Sequence, residues 1–388
     1  MKIKKLFSSI LLLGMSACMV VGCTSDDSSS SDAGVIKIGS SFDLTGACAL
    51  FGIPSSNAVK LAISQYNEAG GILGGQMIEY YLEDNNSNQV DAANAFKKLY
   101  DNNNIVAFIG ADISGTTETI ANIAKDSGIP MITPSATKMS ITSIADNIFR
   151  ACYIDPTQGD VLAVFATEEL NATTAAVMIN SESDYSVGVA EAFIESFESL
   201  GGNVLVQVNY TGSDVDFKSL LAPVNNVSPD VIIIPDYYET IANIAPQARQ
   251  LGIESIFMGS DGWDGVTTVA ANNPESIEGS YYINHYSNED ESDIVQNFIT
   301  DYTDMFGEAP SNALAALAYD AAIILIESMI EAGTTDFDAV VEAMQNITIE
   351  GVTGTISFDE NRNPEKSVSI IKIVDGQDTL YQKLNPYD

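Results

Sequence analysis

The sequence predicts an α/β protein built as two similar lobes, each around a sheet whose core strands run parallel. Three observations point there. Short apolar runs that end in small polar residues alternate with runs of helical periodicity. The alternation halts after Arg150 and then restarts. Each round covers about 120 residues, the size of an ordinary small domain.

The first round opens with a strand over 35–42 that enters the loop 43–52, DLTGACALFG. A helix then runs to about residue 69, with Ala58, Leu61, Ala62, Ile63, Tyr66 and Ala69 spaced mostly three and four apart. Gly70-Gly71 ends it, since glycine accepts the left-handed conformation. A strand over 77–83 closes on Asp84-Asn85-Asn86-Ser87, and a helix covers 90–100. In 105–137, IVAFIGADISGTTETIANIAKDSGIPMITPSAT, two buried strands (105–110 and 130–133) flank a helix over 115–125 that carries Ile120, Ile123 and Ala124. Each strand runs into a hydroxyl-rich loop, 112–117 and 134–137. With right-handed crossovers both loops lie at the carboxyl ends of parallel strands, where such sheets bind ligands. Helix starts there offer free N–H groups and partial positive charge, which suit a carboxylate. Ser114 and Thr137 also suit ordinary helix N-caps, and the residues alone leave both readings open.

The second round has a helix over 158–170, a strand over 174–179 that ends in 180–185, a helix over 186–200 and a strand over 203–210. A helix over 217–224 precedes the strand 231–235, which runs into Asp236-Tyr237-Tyr238. After a helix over 241–251, the strand 255–259 ends in Ser260-Asp261-Gly262-Trp263. A strand over 281–286, helices over 290–306, 313–332 and 337–346, and a hairpin of strands 355–358 and 368–374 about the turn 359–364 complete the chain.

Ahead of both rounds, Lys2, Lys4 and Lys5 precede a short apolar run that ends in Val20-Val21-Gly22-Cys23. This describes a secretory signal over 1–22, and the last four residues resemble a bacterial lipobox in which Cys23 is lipidated. Residues 23–34, rich in Ser and Asp, are expected to form a flexible tether. Outside the signal no run spans a membrane; the nearest, 313–330, is interrupted by Tyr319, Asp320, Glu327 and Ser328.

Sixteen Lys and Arg against 53 Asp and Glu give a formal charge of −37. A phosphate backbone needs basic residues, so nucleic acid is not an expected partner. Of four cysteines, Cys48 and Cys152 fall in the folded part; outside the cytosol they could pair or remain small buried residues. Catalytic patterns are absent: His285 is the only histidine, and neither a nucleophile elbow nor a phosphate-binding glycine loop occurs. Asp359-x-Asn361-x-Asn363 opens like a calcium loop but has Pro364 and Ile370 at the positions that need Gly and Glu, so it reads as a turn. No enzyme activity, metal or cofactor is expected.

The strand ends of the two rounds instead share short polar and aromatic residues: Ser114, Ser135 and Thr137 from the first, Tyr185, Tyr237 and Asp261 from the second. Facing each other, they would match a free amino acid, with donors for its carboxylate and an acid for its ammonium. A zwitterion taken from water needs both charges matched.

The ordered segments IKIG at 36–39, DLTGACALFG at 43–52, NEAGGILGG at 67–75, LEDNN at 82–86, IGADISGTT at 109–117, IPMITPSAT at 129–137, FRACYIDPTQGD at 149–160, DYSVG at 184–188, PDYYE at 235–239 and MGSDGWD at 258–264 resemble the leucine/isoleucine/valine-binding family of ABC-importer binding proteins. The resemblance covers 35–388. It implies the type I periplasmic-binding-protein fold: two Rossmann-like lobes joined by a three-crossing hinge, with crossings near Tyr153, His285 and Val352. Lobe 1 is then 35–153 with 286–352, and lobe 2 is 154–285 with 353–388. It also implies a monomer that closes on its ligand and docks on a membrane permease. By the same resemblance Ser114 and Thr137 hold the ligand carboxylate, Ser135 offers a carbonyl to the ammonium, and Asp261 pairs with it. Tyr185, Tyr237 and Phe51 match the family's aromatic contacts; Trp263 is a further candidate wall that reads equally as a packing or rim residue. The family often has Glu where Asp261 stands, and its familiar disulfide is not matched by Cys48 and Cys152. A branched-chain or other apolar amino acid is the expected ligand, with a small amide or urea, or a sensory role beside a receptor, as the alternatives.

Overall fold

The computed structural model describes residues 34–386. The expected signal, Cys23 and all but the last residue of the tether lie outside the described residues.

The first round gives β1 (Ile36–Phe42), α1 (Ala49–Glu68), β2 (Ile78–Asp84), α2 (Gln89–Lys97), β3 (Ala107–Gly110), α3 (Ser114–Ala124), β4 (Met131–Thr133) and β5 (Ile148–Arg150). All five strands are parallel, in the order β2-β1-β3-β4-β5. The second round gives α4 (Asp155–Val164), β6 (Thr174–Asn180), α5 (Asp184–Ser199), β7 (Asn203–Tyr210), α6 (Lys218–Val227), β8 (Val231–Ile233), α7 (Tyr238–Gln250), β9 (Ile256–Gly259), the single turn α8 (Val266–Val269) and β10 (Tyr281–Asn284). Then come α9 (Asp293–Phe306), α10 (Ala313–Ala332), α11 (Phe337–Asn346), β11 (Thr348–Gly351), β12 (Gly354–Ser357), β13 (Val368–Val374) and β14 (Gln377–Leu384).

The second sheet runs β14-β13-β10-β9-β8-β6-β7. Its parallel part, β7-β6-β8-β9-β10, repeats the strand order of the first sheet. In both, the strand order reverses beside the lobe's first strand, at β1/β3 and at β6/β8. Loops leaving such a pair diverge to opposite faces and open a crevice. Hence the chain loops after β3 and β8 bound a ligand crevice in each lobe.

The inner strands β3, β4, β8 and β9 are nearly all apolar because helices cover both faces of the sheets, whereas the edge strands β2, β7 and β14 carry polar residues. α10 is the central helix of the first core. Its Ala315, Ala318, Ala322 and Leu325 pack with Ala58, Leu61 and Ala62 of α1 over Ile38 and Ile109. It is the one described helix long and apolar enough to cross a membrane, and it is mostly buried inside this core.

The chain's last third departs from expectation. Residues 355–358 and 368–374 do not pair. β12 folds back on β11, with Gly351 opposite Gly354, while β13 lies between β10 and β14. The cause is turn chemistry. Asp375 and Gly376 both have positive φ, 53° and 72°, the geometry of a two-residue hairpin turn. Asp359 instead caps its own loop, accepting the N–H groups of Asn361 and Asn363 at 2.8 Å each. Ile356 belongs to the first core, and Phe358 lies edge-on to Phe149 at 5.1 Å. The return to the second sheet therefore falls near buried Lys366, later than the residue 353 expected. Lys366 donates to Ala151 O at 2.8 Å and to the Thr353 hydroxyl, and Asp320 of α10 accepts the N–H groups of Val352 and Thr353.

Candidate functional site

β3 ends at Gly110 with φ 128°, where a Cβ would lie 2.8 Å from Ser41 O. This reversal sends residues 111–113 over the sheet edge and starts α3 at Ser114. The N-cap is Ile113, which has no side-chain oxygen. Ser114 is thus not a cap; its hydroxyl accepts the Lys138 N–H at 3.3 Å from the neighbouring loop. That loop is held from behind by Thr133, whose hydroxyl donates to Ala111 O at 2.7 Å and accepts the Ala136 N–H at 3.1 Å. Arg150 at the end of β5 donates to the carbonyls of Ala136 and Lys138, at 2.8 Å each. Thr137 is buried, and its carbonyl accepts the Asp155 N–H at 3.0 Å. Ser135 turns its hydroxyl to Asp112, reaching the carbonyl at 3.0 Å and Oδ1 at 3.3 Å.

On the facing lobe, Tyr185 lies in the first turn of α5 and Tyr237 just ahead of α7, their rings stacked at 5.1 Å and 14°. The Tyr185 hydroxyl donates to Asp261 Oδ1 at 2.7 Å, lies 2.6 Å from Ser260 Oγ, and accepts the Gly262 N–H at 2.8 Å. Only glycine fits at 262, because a Cβ would lie 2.8 Å from both that hydroxyl and Asp236 O. The other Asp261 oxygen, Oδ2, lies 2.9 Å from His285 Nε2. Burial lowers the His285 pKa below the usual imidazole value despite Asp261. The ring is therefore neutral, with Nε2–H as the donor. It stacks on Tyr153 at 3.9 Å, and Gln158 Oε1 accepts the Asp261 N–H at 3.0 Å. Asp261 is thus fixed in position by neutral donors, with no Lys or Arg paired to it among the described residues.

The two halves meet around a narrow space of about 20 Å³, lined by Phe51, Asp112, Ile113, Ser114, Ser135, Thr137, Tyr185, Tyr237, Asp261, Gly262 and Leu314. Every expected site residue is there except Trp263. Its indole lies over Gly259 in the second core and donates to Ile234 O at 2.7 Å, so it supports the 260–263 turn from below. Phe51 meets Tyr237 and Tyr238 edge-on, at 6.2 and 4.9 Å. The lobes are closed on each other at the rim. Tyr238 Oη donates to Ala47 O at 2.9 Å and accepts the Leu50 N–H at 3.2 Å. Lys138 Nζ lies 2.7 Å from both Glu118 and Asp184. A larger hollow borders Asp264 and Asn312, but the helix start beside it is already occupied: Asp264 Oδ2 accepts the Ala313 N–H at 2.7 Å.

Asp112, Ile113, Gly262 and Leu314 were not anticipated as lining residues. Asp112 reads as a turn residue after a strand, and Leu314 is hidden in a helix that is apolar all round. Burial pushes the carboxyls of Asp43 up to about 7 and of Asp155 up to about 8. Burial and then the Asp43 charge raise Asp112 well above the carboxylate range. Cys48 and Cys152 are both free and buried. Among the described residues, no group of three or more His, Cys, Asp or Glu side chains is placed to hold a metal.

Two parallel α/β lobes that close their strand-end loops over a small polar and aromatic cavity define a two-lobed solute-binding protein. The chain belongs to the periplasmic binding protein family, whose profile matches residues 35–378. Members of this family act outside the cytoplasm and are binding proteins rather than enzymes. The chain is 27% identical over 362 residues to the leucine-, isoleucine-, valine-, threonine-, and alanine-binding protein of Pseudomonas aeruginosa, covering 92% of each chain. Among solved structures it is similar to the leucine binding protein LivK of Thermotoga maritima, with a TM-score of 0.86 and 33% identity over 91% of this chain and 100% of that one. It is also similar to the branched-chain amino acid transporter substrate binding protein LivJ of Streptococcus pneumoniae in complex with isoleucine, with a TM-score of 0.83 and 29% identity over 90% and 98%.

Proposed function

We propose that the chain is the solute-binding component of an ABC importer and takes a free α-amino acid, branched-chain or similarly small, between its lobes. One observation carries this reading. The cavity sets the hydroxyls of Ser114 and Thr137 and the start of α3 in one lobe against a buried carboxylate of the other (Asp261), with Phe51, Tyr237, Ile113 and Leu314 as walls. Each charge of a zwitterion would otherwise cost several kcal/mol to bury. The printed specificities of the relatives support the same class: the Pseudomonas protein takes five small amino acids, and the Streptococcus structure holds isoleucine.

Ligand settles on one lobe, the lobes rotate together about passages near Tyr153, His285 and the 352–366 stretch, and the closed form docks on the permease as a monomer. The closed form gains only as much population as its excess affinity for ligand allows. Cys23 anchors the mature chain to the membrane by lipid, with residues 24–34 as its tether. The test is calorimetry against the twenty amino acids, simple amides and urea. Binding of an aliphatic amino acid is expected; binding of an amide with no α-amino acid overturns the reading.

A further inference from the structure

One polar group of the cavity has no part in holding a zwitterion. Ser114 and Thr137 suit the carboxylate and Asp261 the ammonium, yet Asp112 also lines the space. It is 2% exposed. Its Oδ1 accepts the hydroxyls of Ser55 at 3.0 Å and Ser135 at 3.3 Å, whereas its Oδ2, like both oxygens of the buried Asp43 carboxyl that acts on it, has no hydrogen-bond partner among the described residues. A buried carboxyl oxygen left unpaired is costly. Its second-row support from Ser55 and Ser135 fixes the group in position, as a recognition element needs. Burial next to Asp43 favours the neutral acid. Ser135 shares its one hydroxyl proton between the Asp112 carbonyl and Oδ1, and with Ser55 donating to Oδ1 the acid proton falls on Oδ2. The free oxygen is then a donor, and it becomes an acceptor when ionised. A hydroxyl serves either state, because it both donates and accepts.

We propose that Asp112, positioned by Ser55 and Ser135, is a hydrogen-bonding subsite for the ligand's side chain, so that the cavity selects small amino acids bearing a hydroxyl or amide, threonine above all, over their apolar isosteres. This rests on the amino-acid reading above. The isosteric pair threonine and valine isolates the subsite, since the two differ by one hydroxyl in place of a methyl. In a cavity with apolar walls alone the hydroxyl would be buried unpaired and valine would win by about tenfold or more.

The experiment is calorimetry of the purified wild-type protein, Asp112→Leu and Asp112→Asn with L-threonine, L-valine and L-ornithine. Wild type binds threonine at least as tightly as valine. Asp112→Leu lowers the threonine-to-valine affinity ratio by about tenfold or more. Asp112→Asn, which keeps an acceptor for the serines and a donor for the ligand, holds the ratio within about threefold. A wild-type preference for valine of about tenfold overturns the proposal without any variant. So does an unchanged ratio in a folded Asp112→Leu. Ornithine binding more tightly than threonine would place a charge at Asp112 and overturn the neutral-side-chain assignment. If wild type binds neither threonine nor valine nor any other α-amino acid, the underlying reading falls and takes the subsite with it.

Discussion

Replacing Asp261 by Asn removes one charge and almost no volume. In the wild type its two oxygens are held by the Tyr185 hydroxyl at 2.7 Å and His285 Nε2 at 2.9 Å. Both partners are neutral, so the negative charge remains available to a ligand ammonium. At a separation of about 4 Å and an effective dielectric constant near 20, that attraction is about 4 kcal/mol. Desolvation of the ammonium offsets part of it, and a charged hydrogen bond exceeds a neutral one by about 1–1.5 kcal/mol. Asp261→Asn should therefore weaken amino-acid binding by at least tenfold, about 1.4 kcal/mol. The fold tolerates the change: the Asn oxygen can accept from Tyr185, and the His285 ring can switch tautomer to accept from the new amide. Calorimetry with L-valine and with its 2-hydroxy analogue, which has no ammonium, separates the effects. Valine should lose affinity and the analogue should not. Equal affinity of wild type and Asp261→Asn for valine would remove Asp261 from the ammonium site.

Lys138→Met removes the cation that joins Glu118 of one lobe to Asp184 of the other. Only the Lys138–Asp184 pair crosses between the lobes, and such partly exposed pairs are worth about 0.2–1 kcal/mol, so affinity should fall by about 1.5- to fivefold, mainly through faster release in stopped-flow, and less at high salt. No change in release rate at low salt would exclude this bridge as a closing contact. Trp263→Phe should destabilise the fold by about 1–3 kcal/mol in urea melts, because Ile234 O loses its donor, while ligand affinity shifts by less than about threefold. A large affinity loss in a stable variant would return Trp263 to the cavity. Thermal stability should fall as pH rises from about 4 to about 8. Asp43, Asp264 and Asp155 have folded values of about 7, about 7 and about 8. The unfolded chain releases these protons near pH 4, so the folded state binds the excess and loses stability on the way up. Asp84, Asp230 and Asp290, held below their ordinary value, act oppositely only at lower pH. A Tm on the order of 5 °C higher at pH 5 than at pH 8.5 is expected, and a Tm that climbs with pH refutes it.

The alternation of elements was legible because parallel strands buried on both faces leave continuous apolar runs such as VIIIP, bounded by small polar loops. The hydroxyl loops after β3 and β4 and the acid after β9 followed from that alternation, since function in such sheets gathers at strand ends. β5 went unread because its two apolar residues run directly into Arg150, a charge that tertiary contacts bury. β14 went unread with the turn before it, although Asp375-Gly376 is a recognisable hairpin signal. The His285 link to Asp261 spans 24 residues, and no local period reports a contact made by tertiary packing. Trp263 was drawn toward the cavity by its neighbours in sequence; in a three-residue turn successive side chains face different sides, and only Asp261 and Gly262 face the ligand space.

Cys48 and Cys152 differ in what buries them. Cys152 lies in the first core among Phe149, Ala151 and α10, and burial raises its pKa to about 12. Cys48 belongs to the first lobe's opening loop, but it is buried in a cluster made mostly of second-lobe residues, next to the point where Tyr238 bonds Ala47 O, and burial raises its pKa well above the thiol value. Lobe separation would uncover the one thiol and leave the other dark. Of these two, alkylation of Cys48 then acts as a clock for opening: its rate reports the fraction of time the protein gapes, and a bound solute should slow that clock without a dye or an engineered residue.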